Sequence, residues 1–308
     1  MRRSLLRVVL LGLMLAGLPA SGQQRDFSKV EVKAQPVAGK VHMLQGAGGN
    51  IGVSVGSDGI LIVDDQFAPL ADKIRAALKG LGDGKLAFVL NTHWHFDHTG
   101  GNEIFGKEAT IIAHENVRKR MSGSQMLRGE QVQPSPPQAL PIVTFGESLS
   151  VHFNGEEIKV IHFPQGHTDG DSVIFFTGSN VVHMGDDFFA GRFPFIDRES
   201  GGTLAGLTAN IEKVLGQLPA DVKIIPGHGP LSAKSDLEAY LGMLKETTAH
   251  VRGRIAAGKD LKAIQGEGLP EKWKEWGSGF INTDLWVQLL YESLTQTKEA
   301  GSGDGTHH

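Results

Sequence analysis

The 308-residue chain contains no cysteine, which removes three chemistries together: a disulfide framework, a thiolate metal ligand and a cysteine nucleophile. It also lacks an excess of positive charge. With 30 Lys and Arg against 34 Asp and Glu, a net charge of -4 gives no electrostatic reason to expect nucleic acid as a partner. No Gly-x-Ser-x-Gly elbow is present, and Ser122-Gly123-Ser124 falls in a loop, so a serine nucleophile has no platform. Beyond the first residues, no segment is apolar enough to cross a bilayer. What the chain does have is 13 His, 41 Gly, and 40% apolar and 21% charged residues, a globular composition long enough for one large domain or two small ones.

The two ends stand apart. Arg2 and Arg3 precede an apolar stretch from Leu5 to Leu18, followed by Ala20, Ser21 and Gly22, the pattern of a secretory signal peptide over residues 1–22. The stretch is short for a membrane span and carries Arg7. The expectation is an exported, periplasmic protein with no stable membrane insertion after cleavage. At the other end the Gly-rich residues 299–308 are expected to be a disordered tail, and its two His are set aside.

Between these ends, β-branched runs separated by Gly, Asn and Asp predict strands at Val30–Ala34, Lys40–Leu44, Ile51–Val55 and Ile60–Val63. Apolar spacing predicts a helix over Leu70–Leu81, strands at Ala87–Asn91 and Thr110–Ala113, and a helix from Glu115 to Met121. A second block of strands follows a Pro-rich loop: Ile142–Phe145, Leu149–Phe153, Ile158–His162, Ser172–Phe176 and Val181–Met184. Helices over Thr203–Gln217 and Ser232–Ala257 complete the pattern. Two successive strand blocks suggest two packed sheets with helices outside, over residues 27–235, and a C-terminal helical extension over 236–298.

The strand Ala87–Asn91 runs into Thr92-His93-Trp94-His95-Phe96-Asp97-His98, where three imidazoles and a carboxylate can converge on one point beyond the strand end. Borderline metals such as Zn²⁺ take such ligands. One loop cannot close a site, and three other segments offer ligands, each after a short strand and a glycine: His167, Asp186 and His228.

In this ordered set, His93-x-His95-x-Asp97-His98 followed by His167, Asp186 and His228, the chain resembles the metallo-β-lactamase superfamily from about Val41 to His228. The resemblance implies an α+β fold, a four-layer αββα sandwich with two Zn²⁺ ions at one edge of the sheets. It assigns His93, His95 and His167 to the first metal and Asp97, His98 and His228 to the second, with Asp186 bridging both or binding the second. Asp64 matches an acid that orients a ligating imidazole, which needs a partner for its other ring nitrogen.

The resemblance further implies a hydrolase in which a metal-bridging hydroxide attacks the carbonyl of a small amide or ester, while Asp97 orients the nucleophile or passes a proton. The absence of cysteine excludes the lactamase subclass with a thiolate ligand. Asp186 is similar to the bridging acid of glyoxalase II and of lactonases, although Phe189 stands where quorum-sensing lactonases carry Tyr. The expected substrate is a small molecule, a β-lactam or lactone. Alternatives are a glyoxalase II-like thioesterase, a mononuclear iron sulfur dioxygenase and a non-catalytic zinc-binding protein. The segments 46–50 and 122–141 and the residues Phe188, Phe189, Phe193 and Phe195 are candidates for covering or lining the site. Trp273, Trp276 and Trp286 are expected to be anchors of packing.

Overall fold

The computed structural model describes residues 26–301; the expected signal peptide and the tail beyond 301 lie outside the described residues. Among the described residues no helix is long and apolar enough to cross a membrane. The first half of the chain supplies β1 (Lys33–Ala38), β2 (Val41–Gln45), β3 (Ile51–Gly56), β4 (Gly59–Val63), α1 (Ala71–Leu81), β5 (Leu86–Leu90), α2 (Phe96–Thr99), α3 (Asn102–Phe105), β6 (Thr110–His114) and α4 (Glu115–Met121). After the hairpin β7 (Gln125–Leu127) and β8 (Glu130–Val132) come β9 (Val143–Phe145), β10 (Ser148–Phe153), β11 (Glu156–His162), β12 (Ser172–Phe176), β13 (Val181–His183), α5 (Leu204–Leu215), β14 (Lys223–Ile225) and β15 (Ser232–Ala233). Helices α6 (Lys234–Ala256), α7 (Leu261–Glu267) and α8 (Thr283–Gly301) close the chain.

One sheet has the order β1-β2-β3-β4-β5-β6-β9, the other β10-β11-β12-β13-β14-β15. The second block of strands is thus divided between them. β9 adds parallel to β6, with Val143 opposite Ile112, and the chain changes sheets through Gly146 and Glu147. The first strand begins three residues later than its β-branched run suggests, because its ladder with β2 starts at Lys33 opposite Gln45.

Burial explains the layering. Strand β4, Gly-Ile-Leu-Ile-Val, is buried along its whole length, as a central strand covered on both faces must be. The inward faces meet in a core that joins Met43, Leu61, Val63 and Leu90 to Ile158, Val160, Ile174 and Ile225. On the far face of the first sheet, Ile74 and Leu78 of α1, a turn apart, pack on Ile51, Val53 and Ile62. On the far face of the second, Leu207 and Ile211 of α5, Leu237, Tyr240 and Leu244 of α6 and Trp286 and Leu290 of α8 share one core with Val173, Val182 and Ile224. Each such side chain contributes about 1.5–3 kcal/mol when fully buried. The result is the αββα sandwich, and the C-terminal helices are part of its outer layer. The ends of β4, β5, β13 and β14 open on one edge.

Candidate metal centre

The loop after β5 is fixed by its one large apolar member. Trp94 turns away from its neighbours and packs with Ala113, Val117 and Met121, donating from Nε1 to Ser200 Oγ at 3.1 Å. His93 and His95 on either side face the open edge, and α2 then brings Asp97 and His98 round to the same point. His167 comes from the loop between β11 and β12, Asp186 from the short 3-10 turn after β13, where Gly185 takes φ 51°, and His228 from the turn after β14. Every residue singled out as a ligand in the sequence is brought to this edge. Their donor atoms fall into three overlapping groups: His93, His95 and His167; His93, His98 and Asp186; and Asp97, His98 and His228. Within each group the atoms lie within 4.8 Å of one another.

Outer hydrogen bonds set the tautomers, assigned here from their partners. Asp64 Oδ2 accepts from His98 Nδ1 at 2.7 Å. The same oxygen accepts from Thr92 Oγ1 at 2.7 Å, and that hydroxyl oxygen is 3.0 Å from His93 Nδ1, which therefore donates to it. Asp197 Oδ2 accepts from His95 Nε2 at 2.9 Å, and the Phe195 carbonyl accepts from His167 Nδ1 at 2.8 Å. Each ring has spent its proton outward, so each turns a lone pair inward. His95 Nδ1 and His167 Nε2 then face each other at 2.9 Å, and His98 Nε2 lies 3.1 Å from Asp186 Oδ1 and 3.3 Å from His228 Nε2. His93 Nε2 and Asp186 Oδ1 are buried with no hydrogen-bond partner. Acceptors facing acceptors in a buried site repel unless a cation stands between them, so the residues fit bound metal.

Electrostatics show the same demand for positive charge: the carboxylates that draw a second proton onto His98 would draw a cation in its place. Burial, the largest influence on His98, lowers its affinity for a proton, but the carboxylates Asp186, Asp64 and Asp97 outweigh it and hold its pKa well above the ordinary histidine value. Burial pushes His93 well below that value and His167 below it. Burial raises Asp186, yet His98, His228 and His93 overcome it and keep the carboxyl ionised far below its usual range. Asp186 lies between the groups, with Oδ2 at 3.4 Å from His228, 3.6 Å from His167 and 3.9 Å from His93.

Asp197, the orienting partner of His95, was not foreseen: it stands 102 positions from its imidazole with no local motif. Phe188 belongs to the core, whereas Phe189, Phe193 and Phe195 line a cavity of about 370 Å³ over the centre. Phe189 stacks on His228 at 5.2 Å and 18° and brings no hydroxyl. The segment 46–50 is a pinned wall: Gly49 N donates to Asp97 O, and Gln66 Nε2 donates to Gly49 O. From the segment 122–141, Leu127 and Arg128 reach the cavity, and Arg192, Phe280 and Ile281 complete it. Of the tryptophans, Trp273 and Trp286 are buried and Trp276 packs against the same core.

Comparison with known proteins agrees with this geometry. The family model described as the metallo-beta-lactamase superfamily matches residues 48–228, more than half of the chain. A 2,4-dinitroanisole O-demethylase subunit alpha of Nocardioides sp. is 26% identical over 74% of this chain and 66% of its own length. A hydroxyacylglutathione hydrolase of Synechococcus sp. is 31% identical over 52% of this chain and 55% of its own. The chain thus spans between half and two thirds of these relatives. Among solved structures, a metallo-β-lactamase from Pontibacter korlensis superposes with a TM-score of 0.56 at 17% identity, covering 70% of this chain and 99% of that one. The sec-alkyl sulfatase PisA1, as a double mutant, gives 0.63 at 14% identity over 89% of this chain and 52% of that one. The chain belongs to the metallo-β-lactamase superfamily.

Proposed function

We propose that the protein is a dinuclear zinc hydrolase that cleaves a small ester or amide, such as a lactone or β-lactam. The carrying observation is the set of inward lone pairs in three overlapping groups, with Asp186 carboxylate oxygens 3.1 Å from His98, 3.4 Å from His228 and 3.6 Å from His167. In this reading His93, His95 and His167 hold one ion, Asp97, His98 and His228 the other, and Asp186 touches both. Zinc at these positions would acidify water and polarise a carbonyl. Asp97 lines the cavity and sets Oδ2 3.5 Å from His228 Nε2, so its carboxylate can take the proton released by attacking water and return it to the leaving group. Asp64, Thr92 and Asp197 orient imidazoles and touch no substrate. Retention of Asp97, His98 and His228 as one convergent group argues against the single-iron oxygenase.

The hydroxyacylglutathione hydrolases among the relatives favour a second reading, thioester hydrolysis. Metal analysis joined to a screen of chromogenic β-lactam, lactone, thioester and phosphodiester substrates tests both. The expected result is about two zinc ions per chain and turnover of a lactone or β-lactam. Turnover of the thioester alone selects the second reading, and one iron with oxygen consumption overturns both.

A further inference from the structure

We infer that the mouth of the cavity selects substrates bearing a single oxyanion on an apolar body, with Arg128 and Arg192 as the residues that receive the anion. This inference rests on the hydrolase reading for its site but not on any turnover. Outside the metal centre the cavity is lined by five phenylalanines, at 96, 189, 193, 195 and 280, by Ala47, Leu127 and Ile281, and by the two arginines. No hydroxyl, amide or further carboxylate belongs to that lining. A neutral polar substituent would find only guanidinium N–H groups as side-chain partners there, and these bind an oxyanion more strongly, whereas an alkyl or aryl group would be covered.

Both arginines are unpaired, a condition that among the described arginines only Arg252 on α6 shares. Arg75, Arg120, Arg198 and Arg254 all reach carboxylates. Among the described residues, Arg128 and Arg192 have no ion pair and no side-chain hydrogen bond, in a chain whose net charge is -4. Arg128 occupies the two-residue turn of the β7–β8 hairpin with φ 56°, followed by Gly129 at 78°. Positive φ at both places is the geometry of a type I′ turn, which favours Asn, Asp or Gly over Arg. The guanidinium lies 4.4 Å from the centre of the Phe280 ring, a ring that is itself 63% exposed. Arg192 arrives from the other side, its stem passing Gly279, where an added Cβ would lie only 3.3 Å from Cδ. A strained turn, an exposed aromatic support and a close passage by a glycine thus accompany two arginines that line one cavity. Guanidinium forks match carboxylate and sulfonate oxygens in pairs.

Calorimetric titration of the zinc-loaded full chain with octanesulfonate, octanoate and 1-octanol tests this. Both anions should bind at least about tenfold more tightly than the alcohol, and the preference should shrink as salt rises. Arg128→Gln and Arg192→Gln should each weaken the anions about fivefold and leave 1-octanol unchanged, and the double variant should abolish the preference. Phe280→Ala should weaken all three ligands. Equal binding of alcohol and anions overturns the inference. So does a double variant that keeps the preference, since the anions then sit on the metals. A protein that prefers the anions but hydrolyses nothing retains this inference and loses the hydrolase reading; one that hydrolyses esters but binds 1-octanol equally well does the reverse.

Discussion

His93, His95, His98 and His167 form a buried floor in which every ring has a second hydrogen bond that fixes its orientation, whereas the opposite side is an open rim. There Asp97 and His228 are 28% and 22% exposed, and Arg128, Arg192 and Phe280 line the cavity from the β7–β8 hairpin, the loop before α5 and the C-terminal segment. The floor is a polar network whose parts specify one another. The rim is a set of side chains held in place by the packing beneath them. Errors in the floor, and in Asp97 and His228 where the rim meets the metal groups, should therefore propagate to metal content, and errors at Arg128, Arg192 and Phe280 or in the packing beneath them should stop at substrate affinity or at global stability.

The strongest test of that division is His95→Ala, expected to reduce bound metal and bring hydrolysis to background; an unchanged rate with full metal content would refute the ligand assignment. Asp64→Asn comes next, because an amide has one acceptor oxygen, whereas the carboxylate accepts from Thr92 N at Oδ1 and from Thr92 Oγ1 and His98 Nδ1 at Oδ2. Metal affinity should fall by about 10–100-fold, measured by competition with a chelator, and Asp197→Asn should fall within the same range. If either variant binds zinc like the parent, the outer bonds do not set the floor. Trp286→Ala bears on the layer under the rim, since Trp286 is fully buried, donates to Thr247 Oγ1 at 3.1 Å and stacks on Phe193. It should cost about 3–5 kcal/mol of stability in denaturant melts while metal content is preserved. Loss of metal there would erase the distinction between floor and rim.

The smallest effect lies away from both. His114 stacks on His162 at 3.7 Å, and burial first, then the neighbouring imidazole, lowers its pKa below the ordinary 6.5. The folded state binds this proton less readily than the unfolded one, so the contribution is complete above pH 6.5 and is lost as pH falls below it. His114 also caps α4 by accepting from Asn116 N. His114→Asn keeps a capping side chain and removes the titration, so its stability should change less between pH 7 and pH 5 than that of the parent. Equal pH slopes would sink this account.

The floor was legible in the sequence because its residues are of rare types at short spacing or directly after strand-ending glycines. The two-sheet layering was legible too, since strand periodicity and length survive burial. Asp197, Arg128, Arg192 and Phe280 were not. An aspartate in a turn and arginines in loops carry no local signal, and their roles exist only once segments more than 60 residues apart meet. β9 joined the first sheet for a similar reason: its own residues suit either sheet, and the parallel ladder with β6 decides.

Two glycines set a limit on how this site can change over generations. A Cβ at Gly49 would stand 2.1 Å from the His98 ring, and one at Gly227 would stand 2.1 Å from Asp186 Oδ1. No single substitution at either place adds a side chain without displacing a ligand, so descendants of this sequence are barred from reshaping their specificity there one step at a time. Inheritance of new substrates has to pass through the hairpin tip and the residues around Arg192 and Phe280, where a replaced side chain meets solvent first and the ligands last.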